Sequence, residues 1–312
     1  MIDQRIIWLF LGVGALLVVA SIIGFVLSLY VKSDGARATV GNLNDRVRAW
    51  WIMVAIFAIA FWFGKAVTLV LFALTSFYCL REFITLTPTR PSDHRPVAAA
   101  FYLFLPLQYY LIGISWQSLF SIAIPVYAFL LLPVLSVVKG DTVDFLQRTS
   151  KIQWGLMLTV YCVSHAPALL LLKIPNFQSN VLLLFFLLTV VQISDVLQYV
   201  FGKLFGRHKV APNVSPSKTW EGLIGGGFSA TAIGASLWWI TPFNQPEAAV
   251  ISFLIVVAGF CGGLVLSAVK RSLGAKDWGA MIEGHGGALD RMDSVSFAAP
   301  IFFHVTNYFF VP

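Results

Sequence analysis

The sequence predicts an all-α, polytopic transmembrane helix bundle of about ten spans, with a polar site gathered in the cytoplasmic loops and helix ends of its carboxy-terminal half. Three observations lead there. Apolar residues make up 58% of the 312 positions and charged ones 11%, whereas soluble domains carry roughly 25% charged residues. Apolar windows of about twenty residues, each long enough to cross a hydrocarbon core as a helix, recur along almost the whole length. The basic residues then fall into alternate connections, as expected of cytoplasmic loops.

In order, spans are expected at residues 6–31, 49–63, 66–80, 97–115, 118–138, 153–173, 180–200, 222–243, 248–268 and 294–311. The first is too long for a signal-peptide core and has no small-residue cleavage site, so it is expected to remain as a span. The second and third are short and separated only around Gly64 and Lys65, which leaves two crossings, a re-entrant hairpin or one kinked helix as alternatives. Charge favours two crossings. The alternate loops then hold Lys32, Arg37, Arg46 and Arg48; Arg81, Arg90 and Arg95; Lys139, Arg148 and Lys151; Lys203, Arg207, Lys209 and Lys218; and Lys270, Arg271, Lys276 and Arg291. Of the 21 Lys and Arg residues, Arg5, Lys65 and Lys173 alone fall opposite. Five basic loops in the cytoplasm and both termini outside follow from the positive-inside rule, and a bacterial inner membrane fits this topology.

The net charge of +7 is therefore mainly topology, with the remainder available to anionic lipid or nucleotide. No arginine-rich or aromatic-interleaved run points to nucleic acid. Cys79, Cys162 and Cys261 sit singly inside spans, a spacing that supports neither a disulfide framework nor a zinc site and leaves packing as their role. No repeat or Pro/Ser/Gly linker divides the chain, so residues 1–312 read as a single integral membrane domain. The loops before residue 180 hold scattered polar residues, whereas the two cytoplasmic loops after it are long, Gly-rich and dense in charge. Residues 1–180 thus read mainly as scaffold and 181–312 as the catalytic part.

Three constellations in that second part carry chemistry. Asp195, near the end of the seventh span, is expensive among aliphatic neighbours unless it is metal-bound or paired with Lys203 or Arg207. The run Ser215-Pro216-Ser217-Lys218-Thr219-Trp220-Glu221-Gly222 leads into the eighth span. There Lys218 either holds a phosphate, with Ser215 and Thr219 supplying hydroxyls, or anchors the interface with Ser217 or Thr219 as a helix cap. Glycines at 222, 225, 226 and 227, and at 262 and 263, either permit close helix packing or, for the first group, start a helix at a bound phosphate. The run Ser267–Asp293 is densest. It supplies Lys270, Arg271, Lys276 and Arg291 for anionic oxygens, and a His285-Gly286-Gly287 turn for close backbone approach. Asp290 and Asp293, three apart, share a helix face; with Asp277 they form a candidate magnesium site completed by water and substrate phosphate. His285 either orients an aspartate or phosphate or is a structural turn residue. His165 reads as a buried, hydrogen-bonded helix residue. Neither a serine-hydrolase elbow nor a zincin helix occurs. Corresponding broken helices in two halves, the mark of many secondary transporters, are also missing.

These residues resemble the signature of the phosphatidate cytidylyltransferase (CDP-diacylglycerol synthase) family of polytopic membrane enzymes. Ser267, Lys270, Arg271, Lys276, Asp277, Gly279, His285, Gly286, Gly287, Asp290, Arg291 and Asp293 fall in register with it. So do the upstream Asp195, Tyr199, Gly202, Lys203, Ser215, Pro216, Lys218, Thr219, Glu221 and Gly222. The resemblance is strong over residues 190–300. It implies transfer of a cytidylyl group from CTP to phosphatidic acid, giving CDP-diacylglycerol and pyrophosphate. Magnesium would be held by Asp290, Asp277 and Asp195, with a second cation as an option and Asp293 as a further ligand or orienter. Lys276 and His285 would join the aspartates in catalysis, and Lys218, Ser215, Thr219, Lys270, Arg271, Arg291, Gly286 and Gly287 would hold the substrates. The implied partners are CTP, phosphatidic acid or a related lipid phosphate, and membrane lipid; a homodimer is left open. Three departures stand out. Gly263 occupies the place of a metal-holding aspartate, Glu283 that of a proline or glycine, and Ala288 that of a larger aliphatic. The first admits two rivals, a divergent paralogue using another lipid phosphate and a non-catalytic protein that binds a lipid or partner.

Overall fold

The computed structural model describes residues 4–31, 34–281 and 286–312, with the side chains of 34–36, 38, 39, 42, 43 and 46 excepted. Each of the ten expected spans falls on a helix: α1 (Gln4–Tyr30), α2 (Asp34–Phe63), α3 (Lys65–Leu86), α4 (Pro91–Gly113), α5 (Gln117–Val137), α6 (Phe145–Leu171), α7 (Val181–Phe205), α8 (residues 222–236), α9 (Gln245–Ser272) and α10 (Leu289–Phe310). Among the described residues, seven of these (α1, α3 to α7 and α9) are long and apolar enough to cross a membrane, and Val47–Phe63 of α2 is a shorter apolar stretch. Large apolar side chains along α1 and on the outer faces of α2, α5 and α8 are exposed, as expected where lipid replaces water. The chain is an integral membrane helix bundle.

The question at Gly64 resolves into a helical hairpin. Gly64 has φ +85°, a left-handed conformation open to glycine at little cost, and it breaks the helix. The two arms then fold together: the Thr68 hydroxyl donates to the Ala60 carbonyl at 3.2 Å, and the Phe57 and Phe72 rings sit 6.0 Å apart. One long kinked helix is thereby excluded.

Several helices run past the apolar windows that announced them. Arg37 and Arg48, expected in a loop, lie on α2; Arg148 and Lys151 lie on α6; Lys203 lies on α7; and Lys270 and Arg271 form the last turn of α9. Helical hydrogen bonding is indifferent to where the hydrocarbon ends, so a hydropathy window marks the buried length and not the helix. At α6 the extension is fixed by a buried pair, Arg148 with Asp93 at 2.8 Å, and by Asp141 at 3.4 Å.

Helices α7, α8, α9 and α10 pack closely because their glycines admit a neighbour. A Cβ at Gly222 would lie 2.7 Å from the Gln198 carbonyl of α7, and one at Gly262 would lie 2.6 Å from the Asp293 carbonyl of α10. The packing reading of these glycines is the observed one. Helix α9 starts at a capping box in which the Asn244 side chain accepts from Glu247 N and the Glu247 carboxylate accepts from Asn244 N. It ends in a Schellman turn: Gly274, φ +73°, lets Ala275 N reach the Lys270 carbonyl and Gly274 N that of Arg271. Of the cysteines, Cys79 is buried and Cys162 half-buried, whereas Cys261 is exposed and does not serve packing.

Between α7 and α8 stands a two-stranded antiparallel hairpin, β1 (Lys209–Ala211) and β2 (Ser215–Thr219), where a loop was expected. Its turn holds Pro212 and Asn213, both turn formers. The Glu221 carboxylate ties the hairpin down, accepting from Arg207 N, His208 N and His208 Nδ1.

Candidate active site

Helices α7, α9 and α10 and the strand β2 converge on one site. Asp195 reaches from α7 and Asp293 from the second turn of α10, and one hydroxyl joins them: Ser294 Oγ lies 3.2 Å from Asp195 Oδ1 and 3.4 Å from Asp293 Oδ1. Asp293 also accepts from Ser294 N at 2.7 Å. Asp195 forms no ion pair with Lys203 or Arg207, the bland alternative for it; Lys203 instead lies over the Tyr199 ring.

Lys218 enters this site from β2. Its ammonium donates to the Phe260 carbonyl at 3.1 Å and lies 4.7 Å from the Phe260 ring centre. Burial pushes the ammonium below the usual lysine value, while Asp195 and Asp293 draw it back up. The neighbouring hydroxyls serve the backbone. Thr219 Oγ1 accepts from Gly222 N at 3.1 Å, an N-cap for the helical turn that follows, and Ser215 is a buried strand residue paired with Ala211. Helix capping by Thr219 and a site-facing Lys218 thus coexist.

Gly263 adjoins the same ammonium. A Cβ there would lie 2.6 Å from Lys218 Nζ and 3.5 Å from Ser294 Oγ. Lacking a side chain at 263, the chain leaves room for the lysine head beside the two aspartates.

Asp290 has other work. Its Oδ1 accepts from Lys270 Nζ at 2.6 Å, and its Oδ2 accepts from Trp278 N at 2.8 Å and Gly287 N at 2.9 Å. The pair is nearly buried, with Lys270 10% and Asp290 8% exposed. Asp290 therefore ties Trp278 and Gly287 to Lys270 in the last turn of α9. Arg271 donates to the carbonyls of Ala275 and Val214, joining the same loop to the hairpin turn. Arg291 is half-buried and acts electrostatically on Asp195. Lys276 and Asp277 are exposed. His285 and Glu283 lie outside the described residues.

The predicted grouping of Asp277, Asp290 and Asp293 is thus not brought together. Among the described residues no three His, Cys, Asp or Glu side chains stand close enough to hold one metal ion. The donor set that does form is the pair Asp195 and Asp293. Two hard carboxylates suit magnesium, which commonly takes one or two carboxylates and leaves its other positions to water and substrate.

The Gly286-Gly287 turn also reads differently in three dimensions. Gly286 has φ +76°, and a Cβ there would lie 2.6 Å from Asp290 Oδ2. The amide of Gly287 is taken by Asp290. The next two amides, of Ala288 and Leu289, are taken by a residue the sequence did not mark: Glu82 of α3, at 2.9 Å each. A faint signal was present in Arg81-Glu82, two charges at the edge of an apolar stretch, but topology alone accounts for such a pair. Ser294, which links the two aspartates, was likewise unmarked.

Several known proteins are similar to this chain. The profile of the cytidylyltransferase family matches residues 44–309. An uncharacterized protein of Escherichia coli (strain K12), YnbB, is 42% identical over 298 residues, covering 94% of this chain and 96% of its own. A phosphatidate cytidylyltransferase of Staphylococcus aureus (strain COL) is 39% identical over 114 residues, 36% of this chain and 44% of that enzyme. Another, of Mycobacterium leprae (strain TN), is 44% identical over 115 residues, 36% of each chain. The alignments thus span less than half the length of either enzyme.

Proposed function

The chain belongs to the cytidylyltransferase family, and from that premise we propose that it transfers the cytidylyl group of CTP to phosphatidic acid at the cytoplasmic face of a bacterial inner membrane. The observation that carries this reading is the Asp195–Ser294–Asp293 bridge with Lys218 beside it. It joins carboxylates suited to a metal to a cation suited to phosphate.

In the proposed reaction a phosphate oxygen of the lipid attacks the α-phosphorus of CTP. A new P–O bond forms there, the bond from the α-phosphorus to the bridging oxygen breaks, and pyrophosphate leaves with that electron pair. Such a step needs alignment of two polyanions more than covalent help. Asp195 and Asp293 would hold magnesium, which when bound draws charge from phosphoryl oxygens. Lys218 supplies a compact positive charge that cannot diffuse away, and Arg291 adds another close to Asp195. Lys270 and Asp290 fix the loop that presents exposed Lys276 and Asp277 to incoming nucleotide. The acyl chains stay among the apolar helix faces.

A second reading differs in the acceptor alone, with another lipid phosphate taking the place of phosphatidic acid. Two observations favour it: the glycine at 263, and a likeness that covers 96% of YnbB but 36% of this chain for the named phosphatidate enzymes. The deciding experiment gives the purified protein radiolabelled CTP, magnesium and one lipid phosphate at a time. Label entering the phosphatidic acid product faster than any other supports the first reading, and a faster alternative acceptor replaces it with the second.

A further inference from the structure

The carboxylate of Glu82 stands at the last turn of α3, far from the signature in sequence, yet it meets the signature loop at two consecutive amides. Its Oε1 accepts from Ala288 N and its Oε2 from Leu289 N, both at 2.9 Å. These amides belong to the first turn of α10, where helical N–H groups have no partner of their own and the helix end is positive. Asp290 lies in the same turn and cannot serve both ends of the loop. It takes Trp278 N and Gly287 N, and Glu82 takes the two amides that follow.

Two glycines make room for this head group. A Cβ at Gly279 would lie 2.8 Å from Glu82 Oε1, and one at Gly287 would overlap the carboxylate. The two glycines thus flank the carboxylate. The adjacent residue adds a second point of attachment. Phe83 stacks on Trp278 at 5.2 Å between ring centres and 21° between planes, and both side chains are 2% exposed. Behind Phe83 is Gly155 of α6, where a Cβ would lie 2.8 Å from the ring.

We infer that Glu82 is a positioning residue for the transfer reaction: with Phe83 it ties Trp278 and the start of α10 to the first half of the bundle and sets where Asp290 and Lys270 stand. It touches neither reacting group. Its effect runs through the amides of Ala288 and Leu289, and it places a structural requirement of the site in the part of the chain that otherwise reads as scaffold. The kinetic consequence rests on the cytidylyl-transfer reading, whereas the contact itself does not.

The test uses the full-length protein in detergent with Glu82→Gln, Glu82→Ala, Gly279→Ala and the double variant Glu82→Ala/Gly279→Ala. Glutamine keeps the shape of the side chain but offers one acceptor oxygen in place of two, so it also serves if alanine impairs folding. Hydrogen exchange at 286–292 is expected to speed up about tenfold or more in Glu82→Gln, with exchange in α1 and α5 unchanged. CDP-lipid formation is expected to lose about tenfold or more in kcat, with KM for CTP within about threefold. Gly279→Ala should cost activity and loop protection when Glu82 is present and much less when it is alanine, since the crowded oxygen is then gone. Unchanged exchange at 286–292, or strictly additive effects of the two substitutions, would overturn the inference. If the unmodified protein makes no CDP-lipid, the transfer reading fails while the exchange data still decide the role of Glu82.

Discussion

At the scale of single residues, the charges of the site divide into those with fixed partners and those that face one another. Asp290 is held by Lys270 and two amides, so Asp290→Asn both loosens the loop and strands a nearly buried ammonium. Removing one partner of a buried pair typically costs about 3–5 kcal/mol. Asp290→Asn is therefore expected to lower the melting temperature in detergent and to reduce CDP-lipid formation by about 100-fold or more; normal melting with normal turnover would refute the organising role. Gly263 gives a second prediction. Gly263→Asp sets a carboxylate beside Lys218 and near Ser294, and should reduce the magnesium concentration for half-maximal activity by about threefold or more. An unchanged requirement would put position 263 beyond the reach of the metal. Spacing made Asp195, Lys218, Asp290 and Asp293 visible, because buried charge in an apolar chain is rare. It could not assign partners. Asp290 and Asp293 share a helix and a signature, yet one faces Lys270 and the loop while the other faces Asp195 across the helix packing. Glu82 stayed hidden because its partners are backbone amides more than 200 positions away, and an amide carries no mark of residue type.

At the scale of elements, the site joins groups inside α7 and α9 to the start of α10 and the strand β2. Hydropathy located the helix middles well, since twenty apolar residues in sequence need no tertiary information to be recognised. The ends were misplaced wherever polar residues continue the helix, as at Arg148 on α6 and Lys270 on α9. The β1–β2 hairpin was missed altogether. Lys209-Val210-Ala211 and Ser215–Thr219 lack the alternation that marks a strand, and the hairpin owes its place to Glu221 and to close packing of Thr219 against α7. The Glu221 carboxylate is pulled from an ordinary 4.5 down to about 2, first by its hydrogen bond to His208. A carboxylate with a depressed value contributes stability that is full above the unfolded value and is lost as pH falls toward the folded one. Limited proteolysis in the 206–219 segment should therefore quicken as pH drops from about 5 toward 2, and Glu221→Gln should be cut equally fast across that window. Proteolysis of the native hairpin that does not change with pH would contradict the tether.

At the scale of the whole molecule, a bundle of apolar helices carries a polar cluster on its carboxy-terminal helices, and Glu82 of the first half of the chain reaches the loop beside it. The alternation of basic loops predicts that cysteines introduced at Lys209 and Lys276 react with a membrane-impermeant thiol reagent only after the cell membrane is opened. A cysteine placed at Lys173 should react in intact cells, and the opposite pattern would invert the topology and the side from which CTP arrives. We propose that the cluster of Asp195, Asp293 and Lys218 performs cytidylyl transfer with glycine at 263. The most direct measurement is CTP- and magnesium-dependent formation of CDP-lipid by the purified protein with phosphatidic acid, set beside Asp293→Asn prepared in the same way. The account predicts product from the native chain and a loss of about 100-fold or more in the variant; equal product from both, or none from a folded native protein with any lipid phosphate, would contradict it.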